Sequence, residues 1–198
     1  MIGIPLALFM FNAGEWAAHK YLLHDLGKRK GNPFSFHFHV HHQQVRKHGM
    51  YDPDYEGPPW STQTQAGEAL TLIAIGAAHL PLLPVAPFYV ATTWWCLDHY
   101  RRVHKRAHID PEWGRRHLPW HYDHHMGPNQ DRNWCVVWPW FDMLVGTRRR
   151  FVGTAKELAD RLKTQKRAMD ARVGRKPPRR TPVPLDVLLG LRKRRAAA

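Results

Sequence analysis

Histidine is the residue type whose number and spacing suggest chemistry in this sequence. The chain of 198 residues contains 15 histidines, and most of them stand in four short boxes. Imidazole is the commonest metal ligand in proteins and suits zinc, copper, iron and nickel. Because the chain has only two cysteines, a CxxC thiolate zinc site and a disulfide framework are excluded. The boxes are HKYLLH at 19–24, HFHVHH at 37–42, HYRRVH at 99–104 and HYDHH at 121–125.

The second box raises the question of which imidazoles share one side of a helix. At about 100° per residue, His37 and His41 lie about 40° apart, and His42 lies about 100° from His41. His39 lies about 200° from His37 and faces away. Helical geometry therefore favours His37, His41 and His42 as the ligands from this box, with His39 as the alternative.

The same geometry applies to the other boxes. His121, His124 and His125 share an arc of about 100° and could present three nitrogens to one cavity. The end histidines of HKYLLH and of HYRRVH are five residues apart. Each of these pairs spans an arc of about 140° and could reach two metals or two sides of one cavity.

Together the boxes supply more ligands than one metal ion uses, since zinc takes four ligands and octahedral iron takes six. We therefore expect two metal ions. The candidate ligands are His19, His24, His37, His41, His42, His99, His104, His121, His124 and His125, with His39, His108 and His117 in reserve.

Three carboxylates stand where they could orient a ligating imidazole through its other N–H group. Glu15 lies one turn before His19, Asp98 adjoins His99, and Asp123 lies inside HYDHH. For each carboxylate, a helix cap or an ordinary surface charge is the alternative interpretation.

Positive charge is distributed in blocks along the chain. The formal net charge is +14, yet none of the 30 lysines and arginines lies in residues 1–19 or 48–100. These two windows contain the apolar stretches, a pattern that the positive-inside rule associates with membrane proteins. The windows and the lack of a nucleic-acid-binding motif argue against nucleic acid as a partner.

Two apolar stretches predict membrane elements. Residues 1–18 would form a helix of about 27 Å, close to the bilayer core of about 30 Å. A signal peptide is the alternative, but no basic segment precedes the apolar run. Residues 67–98 contain three prolines between positions 81 and 87, which predict a hairpin with two legs of about 21 Å each. Lone His79 in this hairpin is expected to be buried and hydrogen-bonded within the bundle.

The predicted fold is all-α, an integral membrane helical bundle with a histidine-rich helical cap on the cytoplasmic face. The aromatic residues of 133–147 suit a segment at the membrane interface. Residues 155–173 predict a charged surface helix, followed by a flexible basic tail that stays on the cytoplasmic side. We expect a membrane-bound domain at 1–154 and a basic helix and tail at 155–198.

The four boxes, in this order and separated by apolar helices, resemble those of the fatty acid hydroxylase and sterol desaturase superfamily of membrane-bound di-iron enzymes. The resemblance covers about residues 10–150 and includes NWCVVWPWFDMLVGT, which looks like the closing segment of the family. The boxes are also similar to those of the beta-carotene hydroxylases within the superfamily. One departure concerns the second box, often HxxHH in the family, because Phe38 stands where its first histidine would be. His37 and His39 compete for that role.

The resemblance implies an enzyme with two iron ions bound by these histidines at the cytoplasmic face, where zinc could substitute in purified protein. Such an enzyme uses O2 to hydroxylate a lipid in the bilayer, of the fatty acyl, sterol or carotenoid class, and desaturation is the alternative reaction. Electrons would come from an external donor such as cytochrome b5, a ferredoxin or a reductase. A histidine-rich membrane protein that only binds metal is the non-enzymatic alternative.

Overall fold

The computed structural model describes residues 2–172, and every regular element in that range is a helix. The all-α prediction is confirmed. Two π-helices, Ala18–Leu26 and His37–His41, and two 3-10 turns, Pro53–Tyr55 and Leu80–Leu82, accompany the α-helices. The α-helices are α1 (Gly3–Ala17), α2 (His42–Lys47), α3 (Gln63–His79), α4 (Pro87–Ile109), α5 (Pro111–His117), α6 (Pro119–Met126), α7 (Trp140–Leu144) and α8 (Ala155–Arg172).

Helices α3 and α4 form the hairpin that the three prolines predict. Thr62 caps the start of α3, where its hydroxyl oxygen accepts a hydrogen bond from the backbone N–H of Gln65 at 3.3 Å. The turn at Leu80–Leu82 reverses the chain. Pro87 lies at the start of α4, where a backbone N–H would have no hydrogen-bond acceptor within the helix, so that the N–H that proline lacks is not needed. Both legs are longer than predicted, with 17 and 23 residues. Helix α4 therefore extends past the apolar stretch and carries histidines at its C-terminal end.

Helix α4 packs against both α1 and α3. Glycines permit the close approach at each contact. A Cβ at Gly3 would lie 3.0 Å from the backbone nitrogen of Tyr89, and a Cβ at Gly76 would lie 2.6 Å from Cζ2 of Trp94. The three helices enclose a cavity that leads towards the histidines.

The membrane prediction concerns these same three helices. Between residues 2 and 172, no helix combines the length with the apolar character that crossing a bilayer requires. Large apolar side chains on the three helices are exposed, among them Phe9, Leu70 and Phe88.

The two π-helices, α2, α5 and α6 form the polar end of the bundle. A buried apolar cluster joins several of these elements to the C-terminal end of α4 and to the 148–152 segment. It fixes the histidine-bearing elements relative to one another. Its buried members are Val45, Met50, Ala107, Leu118, Tyr122 and Phe151.

The chain divides into two compact units after Glu157, three residues beyond the predicted boundary. The charged helix predicted at 155–173 corresponds to α8, which spans Ala155–Arg172. The tail predicted to follow it lies outside the described residues. All ten buried histidines belong to the first unit.

Candidate metal centre

Ten buried histidines form two adjoining groups at the polar end of the bundle. Within each group of four or five, one ring nitrogen per residue lies within 4.8 Å of the others. His121 adjoins the second group, because its Nε2 lies 3.0 Å from Nε2 of His108. Site A consists of His19, His24, His37, His42 and His124, and site B consists of His41, His104, His108 and His125 together with His121.

The local helix type decides which histidines of the first two boxes meet. His19 and His24 lie in a π-helix, whose hydrogen bonds join residues five apart, so that both side chains face site A. His37 and His42 are also five apart across a π-helical segment, and they too meet in site A. His41 enters site B instead. The α-helical prediction that placed His41 on one face with His37 and His42 is thereby corrected.

Adjacent histidines divide between the two sites. His41 belongs to site B and His42 to site A, just as His125 belongs to site B and His124 to site A. Consecutive side chains on a helix diverge by about 100°. Two adjacent histidines on a helix that lies between the two sites can therefore each point into a different site. The expectation that all three histidines of HYDHH share one cavity is corrected, since His121 adjoins site B.

His99 lies outside both sites, contrary to its prediction as a ligand. Helix α4 is a regular α-helix, so the five-residue spacing that joins two ligands in a π-helix separates them here. His104 enters site B, whereas the ring of His99 stacks on Trp95 at 5.1 Å and on Trp138 at 5.9 Å. The reserve residue His108 lies one α-helical turn after His104 and joins it, with their Nε2 atoms 3.2 Å apart.

The other two reserve histidines also lie outside the sites. His39 makes a hydrogen bond from Nε2 to the carbonyl of Lys28 at 3.0 Å, and His117 makes one from Nδ1 to the carbonyl of Trp113 at 3.0 Å. The structure therefore places His37, rather than His39, among the grouped histidines of the second box.

The three carboxylates predicted to orient imidazoles do not contact them. Glu15 accepts hydrogen bonds from two backbone N–H groups of the 133–147 segment. Asp98 is half exposed and pairs with an arginine one turn later at 2.6 Å. Asp123 pairs with Arg148 at 2.7 Å and so ties α6 to the 148–152 segment. These predictions are corrected.

Site B has two carboxylates that the sequence did not reveal. The Nδ1–H of His41 donates to Asp52 at 2.8 Å, and that of His104 donates to Glu68 at 2.6 Å. Such a bond fixes the orientation and tautomer of the ring and leaves Nε2 for a metal. Glu68 lies 36 residues before His104 in the chain, so no local spacing pattern could have identified it.

Backbone carbonyls fix the tautomer of three further histidines, because a carbonyl oxygen only accepts hydrogen bonds. The proton of each ring is therefore on Nδ1, and Nε2 carries a lone pair. The bonds are those of His19 to Trp134 (2.5 Å), His124 to Arg132 (2.8 Å) and His108 to Met50 (2.9 Å).

The inner nitrogens face one another without enough protons to bond them. The proton of His108 is on Nδ1, so its Nε2 is an acceptor with one lone pair, yet this atom lies 3.2 Å from Nε2 of His104 and 3.0 Å from Nε2 of His121. In site A, Nε2 of His42 lies 3.1 Å from Nε2 of three other histidines, and a single N–H could bond only one of them. A cation shared by these nitrogens removes the conflict.

Several buried nitrogens of site B have no hydrogen-bond partner in the described part of the chain: Nε2 of His41, Nδ1 of His121 and both nitrogens of His125. An unsatisfied buried polar atom costs about 1–3 kcal/mol, and metal ligation would satisfy Nε2 of His41 and one nitrogen of His125. Nitrogens bound to a metal at about 2.1 Å lie about 3.0 Å apart as octahedral neighbours and about 3.4 Å apart in a tetrahedron. The contacting Nε2 atoms in the two sites lie 3.0 to 3.2 Å apart. Both groups are therefore suited to binding a metal ion.

Burial lowers the pKa of nine histidines in the two sites, and the pKa of His124 falls to about 3. Nearby imidazoles lower these pKa values further, because a second positive charge would be repelled by the first. Neutral imidazole is the form that binds a metal. These nine histidines are thus held in their ligating form at neutral pH.

A cavity of about 430 Å³ lies between α1, α3 and α4 and reaches both sites. His19 and His37 of site A and His104 of site B form part of its wall. Tyr55 and Glu68 line the cavity beside His104, where the Tyr55 hydroxyl donates to Glu68 at 2.6 Å. Apolar side chains cover much of the remaining wall, including Met10, Phe11, Leu22, Leu23, Leu72, Ile75 and Leu97.

Replacing Glu68 with glutamine should lower the affinity of site B for a divalent metal by about 10–100-fold, as loss of an orienting partner typically does. Competition between the protein and a chelator for Zn²⁺ would measure this. Asp98→Asn is the matched control, since Asp98 was predicted to orient a histidine but lies at the surface. Equal affinities of Glu68→Gln and the unmodified protein would show that the bond to His104 does not support metal binding.

No family model, no curated protein and no solved structure matches this chain.

Proposed function

We propose that this protein is a membrane-bound, O2-dependent di-iron oxidoreductase that hydroxylates a lipid of the fatty acyl, sterol or carotenoid class. The observation that carries the proposal is the meeting of two imidazole sites with one largely apolar cavity of about 430 Å³. The resemblance of the four boxes to the fatty acid hydroxylase and sterol desaturase superfamily supports it.

The ligand set favours a redox metal over zinc. Zinc does not change valence and is almost always four-coordinate in structural sites, whereas five imidazoles converge in site A. Iron bound there would supply the change of valence that the reaction of O2 with an unactivated C–H bond requires. Zinc remains a possible substitute in purified protein, because imidazole sites accept it readily.

Residues of this chain hold the metal centre and bind the lipid substrate. The histidines, several of them held by carbonyls and carboxylates, fix the geometry of the centre. The apolar cavity wall binds the lipid chain and excludes water from the site. Electrons come from a separate carrier, such as cytochrome b5, a ferredoxin or a reductase.

Location in a membrane is part of the proposal. A lipid substrate reaches the cavity most directly from a bilayer, and the outer faces of the helices around it expose large apolar side chains. In a bilayer, these side chains would contact acyl chains, and the histidine sites and C-terminus would lie on the cytoplasmic side, where the lysines and arginines are concentrated. The exposed apolar residues include Ile4, Leu6, Phe9, Leu70, Ile73, Leu83, Phe88 and Trp95.

Desaturation of the lipid is the second candidate reaction, since it would use the same centre and the same cavity. A metal-binding protein without catalytic activity is a weaker candidate, because metal storage needs no apolar cavity beside the two sites.

Lipid profiling under ¹⁸O2 tests the proposal. A host that expresses the protein should produce a lipid absent from the host alone, with one ¹⁸O atom in a new hydroxyl group. His124→Ala should abolish this product, whereas His117→Ala, at a histidine outside both sites, should preserve it. A new double bond without ¹⁸O would favour the desaturase. No new lipid from a protein that contains both metals would contradict the proposal.

A further inference from the structure

The cavity has a polar group at the end remote from the metal sites. His79, at the end of α3, lines this part of the wall, and its ring lies 5.7 Å from that of Tyr89 at the start of α4. Along α3, His79 is 11 residues beyond Glu68, which contacts site B. Since an α-helix rises about 1.5 Å per residue, about 16 Å separates the two positions.

His79 is half-buried, whereas the sequence predicts a buried histidine at this position, and its hydrogen bond is to its own helix. Its Nδ1 donates to the carbonyl of Ile75 at 2.7 Å. Because a carbonyl only accepts, the proton of the ring is on Nδ1, and Nε2 carries a lone pair. The nitrogen left for a ligand is therefore an acceptor, which selects a hydrogen-bond donor such as a hydroxyl group and disfavours ethers and ketones.

The remote end of the cavity also adjoins a second apolar space. Met10 and Tyr89 line both the cavity and a neighbouring groove, which is formed by residues of α1, of the turn between α3 and α4, and of the start of α4. An elongated molecule could thus enter beside His79 with its apolar end leading towards the metal sites.

We propose that Nε2 of His79 binds the hydroxyl group of an elongated lipid alcohol and that the opposite end of this molecule lies at the metal sites. The preferred substrate is then a lipid that already carries a hydroxyl group at the end opposite the carbon to be oxidised. This inference rests on the proposed function for the reaction, but the binding of the hydroxyl group can be tested without turnover.

The test compares two probes of similar length, hexadecan-1-ol and methyl hexadecyl ether, which differ in the hydroxyl donor. Their binding to the zinc-loaded full-length protein in detergent is measured by equilibrium dialysis. We expect the alcohol to bind about tenfold more tightly than the ether, the effect of one buried hydrogen bond. His79→Leu should abolish this preference, and His79→Gln, whose amide oxygen can accept, should restore part of it.

His117→Leu is the matched control. His117 makes the same bond to the carbonyl four residues earlier, but it lies outside the cavity. The His117→Leu variant should keep the tenfold preference for the alcohol over the ether. A zinc content of two ions per chain would show that each variant is folded. Equal binding of alcohol and ether, or a preference that persists in both His79 variants, would overturn the inference. Because no turnover is involved, failure of the hydroxylase proposal would leave this result unchanged.

Discussion

Replacing His41 with alanine is expected to remove one metal ion from the protein, and replacing its neighbour His42 is expected to remove the other. The two side chains belong to different sites, with His41 in site B and His42 in site A. Loss of a direct ligand should weaken the affected site by more than the roughly 10–100-fold that loss of an orienting partner costs. Each variant should bind about one metal per chain, where the unmodified protein binds two.

Double variants make this test sharper. His41→Ala with His104→Ala removes two ligands of site B alone and should still leave one metal per chain. His41→Ala with His42→Ala affects both sites and should leave none. His39→Ala is the control, because this histidine bonds to the carbonyl of Lys28 outside both sites. If the two double variants had equal metal contents, the division of neighbouring histidines between two sites would be wrong.

Acidification of the metal-free protein is expected to cause steep unfolding. Nine site histidines have pKa values lowered by burial in the folded state, whereas in the unfolded chain they titrate near 6.5. Below that pH the unfolded state binds more protons than the folded state, so that stability falls as the pH falls.

The expected slope is large. Each such histidine contributes about 1.4 kcal/mol per pH unit, so that nine together contribute about 12 kcal/mol per unit, close to the whole stability of a typical domain of about 5–15 kcal/mol. Circular dichroism in the presence of a chelator should show unfolding between about pH 6.5 and pH 5. Adding Zn²⁺ should move the transition to lower pH. A metal-free protein that stays folded at pH 4 would contradict this expectation.

Much of the architecture follows from the sequence. The prolines at 81, 84 and 87 predict the α3–α4 hairpin, and the structure contains it. The histidine boxes predict two metal ions, and the structure brings nine of the ten candidate ligands together in two groups with the reserve residue His108. Both predictions rest on local rules, proline as a helix breaker and histidine as a metal ligand.

The assignment of histidines to sites could not be predicted, because it depends on helix type. The same five-residue spacing joins His19 to His24 in a π-helix and separates His99 from His104 in an α-helix. No residue type marks a π-helix in the sequence in the way that proline marks the end of an α-helix. No local sequence pattern identifies the orienting carboxylates either, since Glu68 contacts His104 only because α3 packs on α4.

Anaerobic titration with Fe(II) tests the central claim most directly. The full-length protein, stripped of metal, should bind iron to saturation at two ions per chain, and His41→Ala and His42→Ala should each saturate at one. Saturation of the unmodified protein at one ion, or no binding with all ten histidines intact, would contradict a di-iron centre in this protein.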